Sequence, residues 1–316
     1  LLGSVLVAGQ FPIIKYGSIV NGGFANLTLG STGAGVTGYL SNNVANSSID
    51  FVVTSSSTVT LFWDGQTNSV PVGFWDVNGT PNWQGGLNYQ QPSVPGSLVV
   101  FDDTAAGTTA VLVPTNISVA PAAFTVNNTS KNYSIGGTNI SGPTALLKNG
   151  TGSITLANTS QNTFSGGVFV NDGTLIAGAA NAFPPTILAV ENLATAGINL
   201  NNLNQNIGVL SGGGTTGGNV DLGSATLTLS SGSATFAGAI SGTGRLIKTG
   251  TGTQTLTGAN TYSGGTIITN SGILVAADNA LGTGTILVST NGTLQLGNGA
   301  VDAGEATGLA YRPGGP

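Results

Sequence analysis

An all-β chain, and within that class a parallel β-solenoid, is what the sequence predicts, on three observations. Residues 140–156 (ISGPTALLKNGTGSITL) recur as residues 240–256 (ISGTGRLIKTGTGTQTL), pairing Ile140 with Ile240, Lys148 with Lys248, Gly150 with Gly250 and Leu156 with Leu256. Such internal copies mark stacked architectures in which each unit buries its apolar face against its neighbours. From about residue 98 onward, strand-sized runs such as SLVVF, TAVLV, SITL, TLTL and TILV recur, separated by the turn formers Gly, Asn, Ser and Thr. No stretch carries a helical period; LVAADNAL at 274–281 is short and broken by Asp278 and Asn279. A sandwich would close a set of strands every ~100 residues, and a propeller would show a regular blade of roughly 40–50 residues. Neither pattern is present.

Composition removes most chemistry. Charged residues are 5% of the 316, against roughly 25% in an ordinary soluble domain. Gly numbers 52 and Pro 12, without the strict three-residue period of collagen. With no Cys and no His there is no disulfide, thiol nucleophile, Ser–His–Asp triad or imidazole metal ligand. The six basic residues are dispersed and the pI is about 4.2, which argues against nucleic acid. No apolar run is long enough for a membrane-spanning helix.

Taken in order, the opening LLGSVLVAGQFPIIKYG lacks the Met and positive n-region of a signal peptide and reads as a strand. The start without Met predicts a processed product or a window on a longer chain. Residues 1–56 alternate apolar runs with Gly and Asn turns. Residues 57–97 form a connecting or capping segment holding Trp63, Trp75 and Trp83, with Phe62 and Phe74 beside two of them. The favoured role for these rings is a plug over an open solenoid end; a sugar-stacking platform is the alternative. Residues 98–316 are the solenoid, with the two copies at about 140–183 and 240–281. At roughly 20–25 residues per coil the whole chain would make about 12–15 coils and a rod of around 60–70 Å. In this reading Leu156 and Leu256 point inward, and Lys148 and Lys248 occupy equivalent outward positions.

The second copy carries a family signature. GAISGTGRLIKTGTGTQTLTGANTYSGGTIITNSGILVA, residues 238–276, resembles the autotransporter-associated β-strand repeat of secreted bacterial passenger domains. The first copy departs from that pattern, with ISGPT for ISGTG, two extra residues before Phe164, and Phe for Tyr. Residues 1–56 are similar to the closing coils of such arrays, and residues 59–104 to their Trp-rich openings. The resemblance implies a right-handed β-helix at the cell surface, and the family supplies no catalytic residue to carry over.

Site expectations are correspondingly spare: no catalytic, cofactor-binding or metal residue. Asp102–Asp103 are neighbours on a strand and point to opposite faces, so strand-end solvation is preferred to calcium binding. SGGGTTGG at 211–218 lacks the Lys and helix of a phosphate loop. Lyase-like enzymes use β-helices, but need clustered acids that this chain does not group. Two function classes remain. One is a structural subunit of a surface filament or layer, joining end to end with itself through an apolar strand at Leu1, Leu2, Val5, Leu6 and Val7. The other is an adhesive passenger that binds surface glycans.

Overall fold

The computed structural model describes residues 9–19, 23–29, 36–56, 59–91, 97–289, 291–297 and 309–311. Short parallel strands stack into three faces, of eleven, seven and six strands. The eleven-stranded face runs from Thr60–Phe62 to Thr293–Leu296, the seven-stranded face from Ala110–Val113 to Ile240–Ser241, and the six-stranded face from Gln205–Ile207 to Leu309–Tyr311. Each strand pairs with its equivalent one coil later, as Leu146 with Val168, Val168 with Leu188, and Leu188 with Leu210. This is a parallel β-solenoid.

Period-two alternation builds it. In Ser153–Asn158 the side chains of Ile154, Leu156 and Asn158 are buried and those between them are half-exposed; in Thr226–Leu229, Leu227 and Leu229 are buried. Inward Leu and Ile form one core running from Leu61 to Leu281, each such side chain contributing about 1.5–3 kcal/mol. Outward Thr suits the exposed side of the pleat. Leu156 and Leu256 both point inward and are fully buried, as expected.

Lys148 and Lys248 do not point outward. Both are fully buried, because Leu146–Asn149 and Arg245–Lys248 alternate strictly and each Lys shares the inward side with Leu146 or Leu246. The rule that charge seeks water loses here to the geometry of the strand. The coil count is also lower than expected. Ten steps between eleven strands give about 48 Å, because residues 9–56 lie outside the coils and the step from Leu61 to Val99 spans the Trp-rich segment.

Residues 9–56 make a separate antiparallel sheet, ordered Gly9–Lys15, Ser48–Ser56, Val36–Asn43, around a small cluster of Phe51 and Val53 with Phe11. They are not closing coils. Val36–Asn43 and Ser48–Ser56 are joined by the turn at Val44–Asn46, where Ser47 takes a left-handed conformation, and so tight a reversal makes its two strands antiparallel neighbours. The expected assembly strand, Leu1 to Val7, lies outside the described residues.

The two repeats occupy different faces. Lys148 lies on the eleven-stranded face and Leu156 on the seven-stranded one; Lys248 lies on the six-stranded face and Leu256 on the eleven-stranded one. The copies are 100 residues apart, and with registers stepping by 20 to 24 residues this is about four and two-thirds coils. The same sequence therefore begins one side earlier on the three-sided coil.

Candidate functional site

The Trp-rich segment closes the N-terminal end of the solenoid. Leu61, Trp63 and Trp75 are buried while Phe62 and Phe74 are 37% and 44% exposed, so these two phenylalanines leave the plug by the same alternation that puts the indoles in it. Trp63 meets Trp83 edge-on at 5.1 Å, and Trp75 meets Trp83, Tyr89, Phe101 and Phe124 at 5.4 to 5.9 Å. Ring pairs in this geometry add about 0.5–1.5 kcal/mol beyond their burial. The Trp63 indole donates to the Thr108 carbonyl at 2.8 Å. Backbone bonds from Asp64 and Gly65 to Asn82 O, and from Gln84 to Phe62 O, cover the outer edge of the first strand. With their faces against other rings, Trp63, Trp75 and Trp83 offer a sugar no platform in this conformation.

The carboxylates serve turns. Asp103 accepts from the backbone N–H groups of Thr129, Ser130 and Lys131 at 2.9 to 3.0 Å. Burial pushes its carboxyl up, but these three donors hold it below the usual range. Asp102 accepts from the Thr104 N–H, Asp76 from that of Thr80 and Asp221 from that of Gly223. Asp50 takes Ser48, Asn43 and Gln10, which hold its carboxyl low. Among the described residues no group of three or more acids, His or Cys is placed to hold a metal ion. In the stretch 211–218, Ser211 and Gly212 end the strand Val209–Gly212 and the rest is the turn after it, with Gly213 donating to Val190 O and Gly218 to Leu193 O.

The lysine of each repeat faces inward. The Lys148 ammonium donates to the carbonyls of Asn149, Gly150 and, one coil on, Asp172; that of Lys248 donates to Thr249 and Thr251. Burial pulls the Lys148 ammonium down to about 8, against the opposing pull of Asp172 and Asp103, and lowers that of Lys248 as well. Two residues on, Gly150 and Gly250 sit at φ +73° and +66°, where a Cβ would meet Asn128 O at 2.4 Å or Ser230 O at 2.0 Å. The Lys-x-Gly phrase is thus a turn with its own cation.

Asn162 and Asn260, which went unremarked in the sequence, form the second shared device. Each accepts from the backbone N–H of Ile140 or Ile240 one coil earlier at 2.7 Å and donates to the carbonyl of Ala182 or Ala280 one coil later. The signal was available: both copies read Asn-Thr, then an aromatic, then Ser-Gly-Gly.

A model of the Passenger-associated-transport-repeat matches residues 146–177 and 246–276, the two segments that carry these devices. The chain carries autotransporter-associated β-strand repeats. The Adhesin BmaC autotransporter of Brucella suis biovar 1 (strain 1330) is 40% identical over 114 residues, 36% of this chain and 3% of the adhesin. The chain therefore matches only a small part of that curated relative's length. No solved structure matches. The repeats and the adhesin relative indicate a secreted, cell-surface protein. Among its described residues no helix is long and apolar enough to cross a membrane.

Proposed function

We propose that the chain is a non-catalytic, adhesive segment of a bacterial surface passenger, a rod whose outer faces make the contacts. The observation that carries this reading is where the polar chemistry goes. Lys148, Lys248, Asn162, Asn260 and Asp103 are all engaged in joining coil to coil or bracing turns. Lys15 and Asp50 line one cavity, but the Asp50 carboxylate is taken up by Ser48, Asn43 and Gln10, and the outward strand positions among the described residues are mostly Thr, Ser, Asn and aliphatic residues. The likeness to an autotransporter adhesin supports the same reading. Beads coated with the purified chain should be retained under flow on bacterial or host-cell surfaces, above beads coated with an unrelated β-protein. Equal retention of the two would remove the adhesive function.

A second reading, a structural subunit that joins end to end, has one observation in its favour. Among the described residues Thr293–Leu296 is the last strand of the eleven-stranded face, and Leu296 is 56% exposed there. A strand edge that no other strand covers invites one. Concentration-dependent rods in electron micrographs, growing longer with protein concentration, would support it; monomers at every concentration would exclude it.

A further inference from the structure

Over its first coils the outer side of the eleven-stranded face sets a largely apolar column beside a column of amides. Its pairing sets Phe62 beside Val100, Val100 beside Thr125, Thr125 beside Leu147 and Leu147 beside Phe169, in one outward column. Phe62 and Leu147 are each 37% exposed. Two residues along each strand runs a second outward column, in which Asp102 pairs with Asn127 and Asn127 with Asn149. Asn171 extends it by donating its amide to the Asn149 side-chain oxygen at 2.8 Å. Glu191, one residue beyond the Val170–Val190 pair, ends it. An apolar strip thus lies against an amide ladder with a carboxylate at each end, and no Lys or Arg stands in either column.

We infer that this strip binds an extended, uncharged polysaccharide lying along the rod axis. The inference rests on the adhesive reading and names its surface. A pyranose has C–H-rich faces that pack on Leu147 and Phe169, and hydroxyls at its rim that the Asn amides can both donate to and accept from. The ladders repeat every ~4.8 Å, so the ligand that uses all of them is itself a linear repeat. The absence of basic side chains disfavours anionic polymers. A second copy of the chain is disfavoured by size: five strands by two columns cover roughly 250 Å², against about 800 Å² per partner in a stable protein interface.

The test measures binding of the full chain to cellohexaose, laminarihexaose, xylohexaose and mannohexaose by calorimetry, with an alginate hexasaccharide as the anionic control. At least one neutral hexasaccharide should bind, about tenfold or more tighter than its disaccharide. Phe169→Ser and Asn149→Ala should each weaken it by about tenfold, while Phe169→Tyr retains it. Ile247→Ser with Ile267→Ser, on the outward column of the six-stranded face, should change nothing. The proposal is overturned by any of four results: no neutral ligand bound; equal binding by Phe169→Ser; tighter binding of alginate; or ligand-free dimerisation abolished by Leu147→Ser. Bead adhesion separates this idea from the function it rests on. If coated beads adhere and the Phe169→Ser beads adhere equally, the strip is wrong and the adhesive function stands. If no beads adhere but hexasaccharide binding follows the variants, the reverse holds.

Discussion

The first repeat and the second are the same device set into different surroundings. In both, a buried Lys holds turn carbonyls, a left-handed Gly completes the turn, and a buried Asn ties three coils together. In the first, these parts are shared between the eleven- and seven-stranded faces; in the second, between the six- and eleven-stranded faces. The difference teaches that the repeat specifies bonds to the coil before and the coil after, and does not specify which side of the rod it occupies. A further difference is chemical. The first copy buries Phe164 near Val168, both apolar, where the second buries Tyr262 and Thr266 with their hydroxyls 2.5 Å apart.

The comparison breaks most readily at the asparagines. Asn162→Ala and Asn260→Ala each leave a buried N–H and a buried C=O without their side-chain partner, and should cost about 2–5 kcal/mol each in urea unfolding. The larger loss is expected at Asn162, which also donates to the buried Asn158 side-chain oxygen at 3.0 Å. A loss in one copy alone would mean that the two amides are not equivalent.

The aromatic positions sharpen it. Phe164→Tyr sets a hydroxyl against Val168 and should cost about 1–3 kcal/mol. Adding Val168→Thr supplies the partner that Tyr262 has, and the double variant should recover most of that loss in a double-mutant cycle. Additive losses would show that the Tyr–Thr pair depends on its face after all.

The smallest effect is a pH dependence. Unfolded, the Lys148 ammonium keeps its proton to about pH 10.4; folded, burial releases it near 8. Between these values the unfolded state binds more protons, so stability rises with pH, and below about 8 this lysine contributes no slope. Lys148→Met should remove part of the rise, and Lys248→Met, whose ammonium is also lowered, a further part. Buried Tyr89, Tyr133 and Tyr262 are pushed up by burial, and their opposite effect begins only above about 10. A flat profile from pH 8 to 10 would contradict the buried cations.

What could be read from the sequence was what period two controls. TLTL at 226–229 and SITL at 153–156 announce their inward residues directly, and so does the alternation that buries Trp63 and exposes Phe62. The same period turns Lys148 and Lys248 inward beside Leu146 and Leu246, against the preference of charge for water. Over residues 9–56 strand-sized runs are blind to whether neighbours run parallel or antiparallel; the tight turn at Val44–Asn46 is what sets Val36–Asn43 against Ser48–Ser56. The outer strip was illegible for another reason. Phe62, Leu147 and Phe169 are far apart in the chain and ordinary one at a time; the register of five coils makes them a column.

The rotation between the repeats turns the rod into a screw. A segment placed every 100 residues advances about four and two-thirds coils, so three such segments return to the starting side after about 14 coils, or roughly 67 Å. Whatever those segments display would point in turn to each side of the shaft. A rod threaded in this way has no back: however it rolls against a flat surface, one segment in three meets it. Spacing of a whole number of coils would instead line every copy along one seam, and a molecule of the same composition would grip from a single direction.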